Sequence, residues 1–346
     1  MPVAAAYLSR VDSTDARHLG SRQVRRLGVA EACARVMDEA RHVRIDAEAA
    51  RAFCAAYDGQ NQAVPGWDPR LHYFEDTWRS ANYVLVLDTL NFCFWASPGE
   101  ERWTVTYDGK DYQGYWGLAA ALRRGIEEGI PLLDAHYLAD ISRADVARIL
   151  AGRGEIPLME ARHRNLREAG RWLVTRYDGR FSNMIEQCGY DSVALAAGLC
   201  EELSSYHDVA TYNQVTVPLL KRAQIVAVDV YGTYGGKRWG ELGRLDALTA
   251  FADYKVPQVL RRLGVLHYSD ALARAVDAQE EIEAGDSREV EIRAATVHAV
   301  ETVRNTLKER FGKAPRSFEI DWYLWGLGQT KSADDRPYHR TRTIFY

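Results

Sequence analysis

The residue with the clearest potential for chemistry is Asp253, in the segment Thr249-Ala250-Phe251-Ala252-Asp253-Tyr254-Lys255-Val256-Pro257-Gln258. A carboxylate in an apolar and aromatic setting is costly to bury and therefore needs a reason. One reason is catalysis, because carboxylates stabilise the positive charge on a sugar ring, or activate water, when a glycosidic bond breaks. The other is structural, since Asp253 precedes a predicted helix and can cap it. The two roles are compatible, because a capping carboxylate keeps a second oxygen.

Three more polar side chains lie in one predicted helix. Lys221 and Arg222 are adjacent in sequence, so they point about 100° apart on a helix, and one can reach a phosphate while the other pairs elsewhere. The alternative is a solvated basic turn. Asp229 follows among valines and isoleucine, where it is either a partnered structural acid or part of the same site.

The C-terminal segment Pro337–Tyr346 alternates cations with threonines and aromatics. If it is extended, Arg340 and Arg342 share one face and His339 lies on the other. Two arginines on one face can clamp a phosphate. A frayed tail is the alternative, but the terminal aromatic residues favour docking on the protein.

Two aromatic clusters could hold a flat ligand. Asn91 and Phe92 begin the first, which runs to Trp95, and Asp321, Trp322 and Trp325 belong to the second. Asp321 and Trp325 are four residues apart and share a helical face. An acid and an indole on one face can bind a hydrogen-bonding base, although aromatic core packing is the alternative.

The elements expected to position these residues are mostly helices, identified by caps and apolar periodicity. Asp286 and Glu289 form a predicted capping box for a helix that ends at Gly312. The other predicted helices run from Ser142 to Leu150, from Asp191 to Leu203, from Pro218 to about Val230, and from Ser317 to Leu327.

One region has strand character. Residues 83–87, 92–95 and 102–107 are rich in β-branched and aromatic side chains, and Asp108-Gly109 is a hairpin signal before a return strand at 110–113. We therefore expect a mainly α protein with a small antiparallel sheet within residues 82–113. No linker is evident, which favours one compact domain over residues 1–346.

Composition narrows the classes of function. The chain has 346 residues, of which 47% are hydrophobic and 27% charged, with a formal net charge of -4. Because there is no basic excess, a small anionic ligand fits better than a stable nucleic-acid complex. The five scattered cysteines form no C-x-x-C pair, which favours reduced thiols and a cytoplasmic protein.

The sequence contains no motif for a cofactor, a metal or a membrane. The glycine motifs of nucleotide-binding loops and the H-E-x-x-H spacing are absent. No apolar run reaches the roughly 20 residues of a membrane helix, and the N-terminus lacks a signal-peptide core. We therefore expect no metal, no cofactor and no membrane association.

Five segments in the same order resemble the queuosine salvage proteins, which are queuosine 5′-phosphate N-glycosylases. The resemblance runs from about residue 20 to the end of the chain. The segments are Leu90–Trp95, Lys221–Ile225, Phe251–Gln258, Glu319–Trp325 and Tyr338–Thr343.

The resemblance implies a helical body akin to helix-hairpin-helix DNA glycosylases, and hydrolysis of queuosine 5′-monophosphate to release queuine for reuse in tRNA modification. It implies that Asp253 is the essential acid and that Lys221 contacts the phosphate. His339, Arg340 and Arg342 would assist with the phosphate. The residues expected at the base are Asn91, Phe92, Asp229, Asp321, Trp322 and Trp325.

The chemistry of this substrate adds a constraint. Queuine is a 7-deazaguanine, so the leaving base has no N7 to protonate, and catalysis must rely on stabilising positive charge at C1′. Direct attack by water and a covalent intermediate both remain open. So do three other functions: a glycosylase acting on a base within tRNA or DNA, a non-catalytic queuosine-binding protein, and a helical interaction protein.

Overall fold

The computed structural model describes residues 26–57, 68–330 and 332–346. The described chain forms fourteen α-helices and six short β-strands, so the mainly helical fold class is confirmed. The helices are α1 (Val29–Glu39), α2 (Ala47–Ala56), α3 (Trp78–Thr89), α4 (Gly114–Glu127), α5 (Ala135–Asp140), α6 (Arg143–Ile149), α7 (Met159–Arg176), α8 (Phe181–Gln187), α9 (Ser192–Glu202), α10 (Lys221–Thr233), α11 (Lys255–Arg262), α12 (Asp270–Asp277), α13 (Ser287–Phe311) and α14 (Ser317–Leu327). The strands are β1 (Val43–Ile45), β2 (Thr104–Tyr107), β3 (Lys110–Gln113), β4 (Val209–Tyr212), β5 (Val215–Pro218) and β6 (Leu266–Tyr268).

The strands form three antiparallel pairs: β1 with β6, β2 with β3, and β4 with β5. The predicted β2–β3 hairpin is confirmed, and its turn residues Asp108 and Gly109 have φ angles of 48° and 70°. The β4–β5 hairpin turns at Asn213 and Gln214, which also have positive φ. Its turn carries no glycine, so the usual sequence signal was missing.

Two of the predicted strands are wrong. Residues 83–87 lie inside α3, which is buried from Ser80 to Thr89, and residues 92–95 have no regular structure. A helix buried on all sides has a continuous apolar run, and periodicity alone does not distinguish such a run from a buried strand. Thr77 caps α3 by accepting a hydrogen bond from the N–H of Arg79.

Most of the predicted helix ends are confirmed. Ser142 and Asp191 cap α6 and α9, and Gly312 ends α13 with a φ of 72°. Asp286 caps α13, but the carboxylate of Glu289 accepts from the N–H of Gly285, so the reciprocal bond of a capping box is displaced by one residue.

Two predicted helix starts are wrong. Pro218 ends β5, and α10 begins at Lys221, after Leu220 in the left-handed region with a φ of 52°. Ser317 is the first helical residue of α14, and Arg316 occupies the capping position before it.

Two long helices connect the apolar clusters of the core. Helix α13 places Val290 and Val297 in one cluster and Ile292 and Val300 in another. Each fully buried side chain of this kind contributes roughly 1.5–3 kcal/mol relative to exposure. Helix α3 is likewise shared between two clusters, so its C-terminal end lies deep in the protein, next to the site.

The likeness to helix-hairpin-helix glycosylases and the single-domain organisation stay predictions. None of the helices in the described ranges is long and apolar enough to cross a membrane. The first 25 residues, most of which the family resemblance does not cover, lie outside the described residues.

Candidate active site

Eight of the eleven residues singled out from the sequence line one cavity, although they come from four distant segments. Its walls come from the end of α3, the start of α4, and helices α10, α11 and α14. The eight residues are Asn91, Phe92, Lys221, Asp229, Asp253, Asp321, Trp322 and Trp325. We call this space the aromatic cavity.

Asp253 is both a cap and a cavity residue. Its Oδ1 accepts hydrogen bonds from the N–H groups of Lys255 and Val256, at 2.8 and 2.9 Å. No described residue donates to Oδ2, and the side chain lines the cavity with the residue only 9% exposed. Burial raises the pKa of Asp253, while Lys221 and the two amides oppose the rise. Asp253 therefore caps the first amides of α11 with its side chain, although Tyr254 occupies the N-cap position predicted for Asp253, and one oxygen remains available.

Lys221 is the first residue of α10, and a hydrogen bond to Asp208 holds its backbone in place. Its N–H donates to Oδ2 of Asp208 at 3.0 Å, and no described residue accepts a hydrogen bond from its Nζ. Burial lowers the pKa of Lys221, and the nearby charges of Asp253, Asp88 and Asp321 act in the opposite direction. The ammonium therefore faces the cavity among carboxyl groups.

Asp321 presents a second carboxyl close to Asp253. It lies on α14, and its Oδ1 accepts a hydrogen bond from the N–H of Phe251 at 2.9 Å. Burial, and then the charge of Asp253, hold the pKa of Asp321 well above its usual range. Two carboxyl groups in environments of this kind take different protonation states. Asp321 therefore keeps its proton to a higher pH than an ordinary aspartate does.

A further pair of acids lies where α3 packs against α10. Asp229 lines the cavity, and burial, and then the charge of Asp88, raise its pKa far above the usual range. Burial raises the pKa of Asp88 to about 7. The Asp88 Oδ1 accepts a hydrogen bond from Nδ2 of Asn91 at 3.3 Å, and its buried Oδ2 has no partner among the described residues. Asp88 was not identified from the sequence. It directly follows residues 83–87, which were wrongly predicted to form a strand.

Aromatic rings enclose the cavity. The ring of Trp325 lies 6.1 Å from those of Tyr115 and Trp116. Phe92 is held from behind by two arginines, with the guanidinium carbons of Arg162 and Arg222 at 4.3 and 5.2 Å from its ring centre. A flat ligand would thus meet aromatic surfaces on more than one side.

Several cavity residues were not identified from the sequence. They are His72, Phe94, Gln113, Gly114, Tyr115, Trp116, Ile225, Phe251, Tyr254, Lys255, Gln329 and Tyr346. The adjacent Tyr115 and Trp116, directly after the β3 strand, were an available signal. His72 gave no such signal, because it reaches the cavity through a contact between distant segments. Its Nε2 lies 2.9 Å from the hydroxyl oxygen of Tyr115. Burial lowers the pKa of His72 to about 4.

The C-terminal segment docks, as its aromatic residues predicted. The N–H of Cys93 donates to the carbonyl of Tyr346 at 2.9 Å, and Tyr346 is 2% exposed. The side chain of Tyr346 donates to Glu289 and lies beside Arg293. The tail is therefore part of the cavity wall.

The three C-terminal cations do not line the aromatic cavity. His339 is buried against the hydroxyl of Tyr346, and burial lowers its pKa to about 3, so its ring is neutral. Arg342 is ion-paired with Glu281 at 2.8 Å. Arg340 lines a neighbouring chamber instead. Both arginines lie over the ring of Trp95.

Within the described ranges, no group of three or more histidine, cysteine, aspartate or glutamate side chains could hold a metal ion. The functional groups that line the cavity are carboxyls, a lysine and aromatic rings. A mainly helical protein with such a cavity is of the class that binds a small, flat and polar molecule.

Comparison with known proteins specifies the family. The family described as queuosine salvage protein matches residues 71–346. A protein of Sphaerobacter thermophilus named queuosine 5′-phosphate N-glycosylase/hydrolase is 49% identical over 321 residues, which are 93% of this chain and 98% of the relative. Proteins of Nematostella vectensis and Mus musculus with the same name are 38% and 36% identical, over 81% and 76% of this chain and 85% and 81% of their own lengths. This chain belongs to the queuosine salvage protein family.

Proposed function

We propose that this protein hydrolyses the N-glycosidic bond of queuosine 5′-monophosphate. Water adds to C1′ of the ribose, the bond from C1′ to the base nitrogen breaks, and the base leaves with a proton as queuine. The other product is ribose 5-phosphate. The names of the relatives support this substrate and reaction, and the cavity supports a flat base bound next to a carboxylate.

The observation that carries the proposal is the arrangement of Asp253. Its Oδ1 is fixed by two backbone amides, while Oδ2 lies at the cavity without a described hydrogen-bond donor. A carboxylate held rigidly in this way is preorganised to stabilise positive charge developing at C1′. The low-polarity surroundings strengthen that interaction.

The base is enclosed by the aromatic rings and read by the acids. Trp325 and Phe92 form walls for its faces, and Asn91 and Trp322 lie at the same cavity. The raised pKa of Asp321 favours its protonated form, which can donate a hydrogen bond to the departing base and so help a leaving group that has no N7 to protonate. Asp229 is available to the amine of the queuine side arm, because its carboxyl oxygens can accept hydrogen bonds from that amine.

The test is turnover with a defined substrate. Purified protein is incubated with queuosine 5′-monophosphate, and free queuine is measured by chromatography. Release of queuine by the native protein, together with loss in Asp253→Asn, supports the proposal. Binding without release would instead indicate a carrier protein.

The rival glycosylase function requires a polymer substrate. Queuine release from queuosine-containing tRNA at a rate matching that from the mononucleotide would contradict a mononucleotide enzyme. Electrophoretic binding to tRNA with a steep salt dependence would contradict it as well.

A further inference from the structure

Two buried arginines contact the segment that leads from α3 into the aromatic cavity. Arg162 lies on α7 and Arg222 on α10, and they are 0% and 1% exposed. Within the described ranges, neither guanidinium group forms an ion pair with an aspartate or a glutamate. Burying a cation without a counter-ion is costly, so each arginine must be compensated by other bonds.

Arg162 is compensated by four backbone carbonyls. Its Nη1 donates to the carbonyl of Leu90, and its Nη2 donates to those of Phe92 and Cys93, at 2.6 and 2.9 Å. Its Nε donates to the carbonyl of Pro157 at 2.9 Å. Burial lowers the pKa of Arg162 to about 9, so the group is still charged at neutral pH. These hydrogen bonds are therefore of the strong, charge-assisted kind.

Arg222 binds the end of α3 in the same way. Its Nη1 donates to the carbonyls of Asp88 and Thr89, at 2.8 and 2.9 Å, and its Nη2 donates to the carbonyl of Ser205. Because α3 ends at Thr89, these carbonyls have no partner inside the helix. A cation at this end also interacts favourably with the helix dipole.

Together the two arginines bind most of the carbonyls of residues 88–93, which we call the linking segment. Arg222 accounts for two of the six and Arg162 for three. The linking segment brings Asn91 and Phe92 into the aromatic cavity. It ends at Cys93, whose φ of 43° is uncommon for a residue with a side chain. Such a conformation persists only where surrounding bonds determine it.

The same guanidinium groups contact the aromatic wall. Their central carbons lie 4.3 and 5.2 Å from the ring centre of Phe92, and that of Arg162 lies 5.3 Å from the ring centre of Phe94. Both rings line the aromatic cavity, whereas neither arginine does. The arginines therefore fix the backbone and one ring of the wall without contact with the cavity itself.

A lysine could not replace Arg162 in this arrangement. The guanidinium group offers five N–H donors in a rigid plane, while a lysine offers three on one nitrogen. The carbonyls that Arg162 binds are distributed over three different nitrogens. The planar shape of the group, and not its charge alone, therefore holds the linking segment.

Resting on the proposed function, we infer that Arg162 and Arg222 are positioning residues for the hydrolysis. They fix the linking segment so that Asn91 and Phe92 hold the base with C1′ beside Asp253. A misplacement of about 1 Å at the reacting atoms can lower a rate on the order of a hundredfold. A loosened wall that still contains its rings therefore affects the chemical step more than it affects binding.

The first test separates kcat from KM with queuosine 5′-monophosphate. In Arg162→Lys and Arg222→Lys we expect kcat to fall roughly tenfold while KM changes by less than about threefold. Phe92→Ala removes the ring itself and should raise KM roughly tenfold. The matched control is Arg261→Lys, which alters a mostly buried arginine paired with Asp277 and lining neither cavity. It should keep the native kcat and KM.

The second test follows the linking segment directly by hydrogen exchange and mass spectrometry. The rate for a peptide that covers residues 88–93 is divided by the rate for a peptide from α13. We expect this ratio to rise about tenfold in Arg162→Lys, because the segment opens locally. A general loss of stability speeds exchange in α13 too and does not raise the ratio. Should Arg162→Lys not fold, Arg222→Lys serves for both tests.

The outcomes distinguish this inference from the proposed function. Native kcat in the folded lysine variants overturns the positioning role, and so does a raised KM with native kcat. A lower kcat with an unchanged exchange ratio shows that the arginines do not act through the linking segment. If the native protein releases no queuine, the proposed function fails, and the exchange ratio still decides whether these arginines fix the segment.

Discussion

Arg293 and Asp208 form a bidentate ion pair inside the protein. Nη1 lies 2.9 Å from Oδ1 and Nη2 lies 2.7 Å from Oδ2, with the side chains 3% and 4% exposed. Asp208 also accepts the N–H of Lys221, and Nε of Arg293 donates to the carbonyl of Ala252 at 3.0 Å. One ion pair therefore holds the backbone at Lys221 and directly before Asp253.

Removing one member of this pair should destabilise the protein. Arg293→Met leaves Asp208 buried without its cation, and the loss of one partner from such a pair costs about 3–5 kcal/mol in the free energy of unfolding. Urea denaturation measures it. The matched control is Arg143→Met, which breaks an exposed pair with Glu160 and should cost less than about 1 kcal/mol. Equal losses of unfolding free energy in the two variants would show that the buried ion pair contributes no more to stability than the exposed one.

Replacing both members of the pair should cost less stability than the two single replacements added together. Arg293→Met alone leaves two buried acids, Asp208 and Glu289, without their cation, whereas the double variant with Asp208→Leu leaves only Glu289. Its loss of stability should therefore be smaller than the sum of the single losses. The kcat of the double variant should nevertheless be lower than that of the native protein, because the hydrogen bonds to the backbone of Lys221 and Ala252 are both lost. A double variant with native kcat would mean that the pair does not position the site.

Two substitutions at Asp253 separate capping from catalysis. Asp253→Asn keeps an oxygen to accept the N–H groups of Lys255 and Val256, so it should unfold at the native urea concentration or above. Because the negative charge is lost, kcat/KM for queuosine 5′-monophosphate should fall roughly a hundredfold or more. Asp253→Ala also loses the cap and should cost about 1 kcal/mol of stability.

Native activity in Asp253→Asn would end the assignment of the charge to catalysis. Native stability in Asp253→Ala would instead show that the hydrogen bonds from the two backbone amides contribute little to the free energy of unfolding. Each variant therefore tests one oxygen of the same side chain.

The ring of Trp325 should contribute to binding of the base. It is half-buried, and Trp325→Ala should raise KM by roughly tenfold, because stacking of a base on an aromatic ring is worth about 1–3 kcal/mol. Steady-state kinetics measure it. The control is Trp239→Ala, a half-buried tryptophan that lines neither cavity. A similar rise in KM for the two variants would contradict a specific stacking role.

The sequence was informative where the signal is local. Ser142 and Asp191 cap the starts of helices, and Gly312 ends one, through hydrogen bonds or backbone angles confined to a few residues. The residue types therefore predict these positions. The Asp108-Gly109 turn is local in the same way. Asp253 combined a local capping signal with an unusual apolar setting, and both properties are present in the structure.

The sequence was not informative where distant segments decide the outcome. The assignment of residues 83–87 failed because α3 is buried by contacts from several helices, which remove its amphipathic pattern. His339 looked like a cation, yet packing against Tyr346 removes it from water and keeps its ring neutral. Likewise, pairing of Arg342 with Glu281 joins residues 61 positions apart.

Asp88 should make stability depend on pH. Burial raises its pKa from 3.8 to about 7, so the folded protein keeps a proton that the unfolded chain releases. The stability due to this group is complete below about pH 3.8 and is lost as the pH rises towards about 7. In Asp88→Asn the side chain is neutral at every pH, and its oxygen can still accept from Asn91. The variant should therefore gain stability relative to the native protein as the pH rises, by on the order of 1 kcal/mol or more at pH 7. Urea unfolding at pH 5 and pH 7 measures the difference in stability between Asp88→Asn and the native protein, with the exposed Asp140→Asn as control. An advantage that does not grow between pH 5 and pH 7 would mean that Asp88 is already ionised in the folded protein at pH 5.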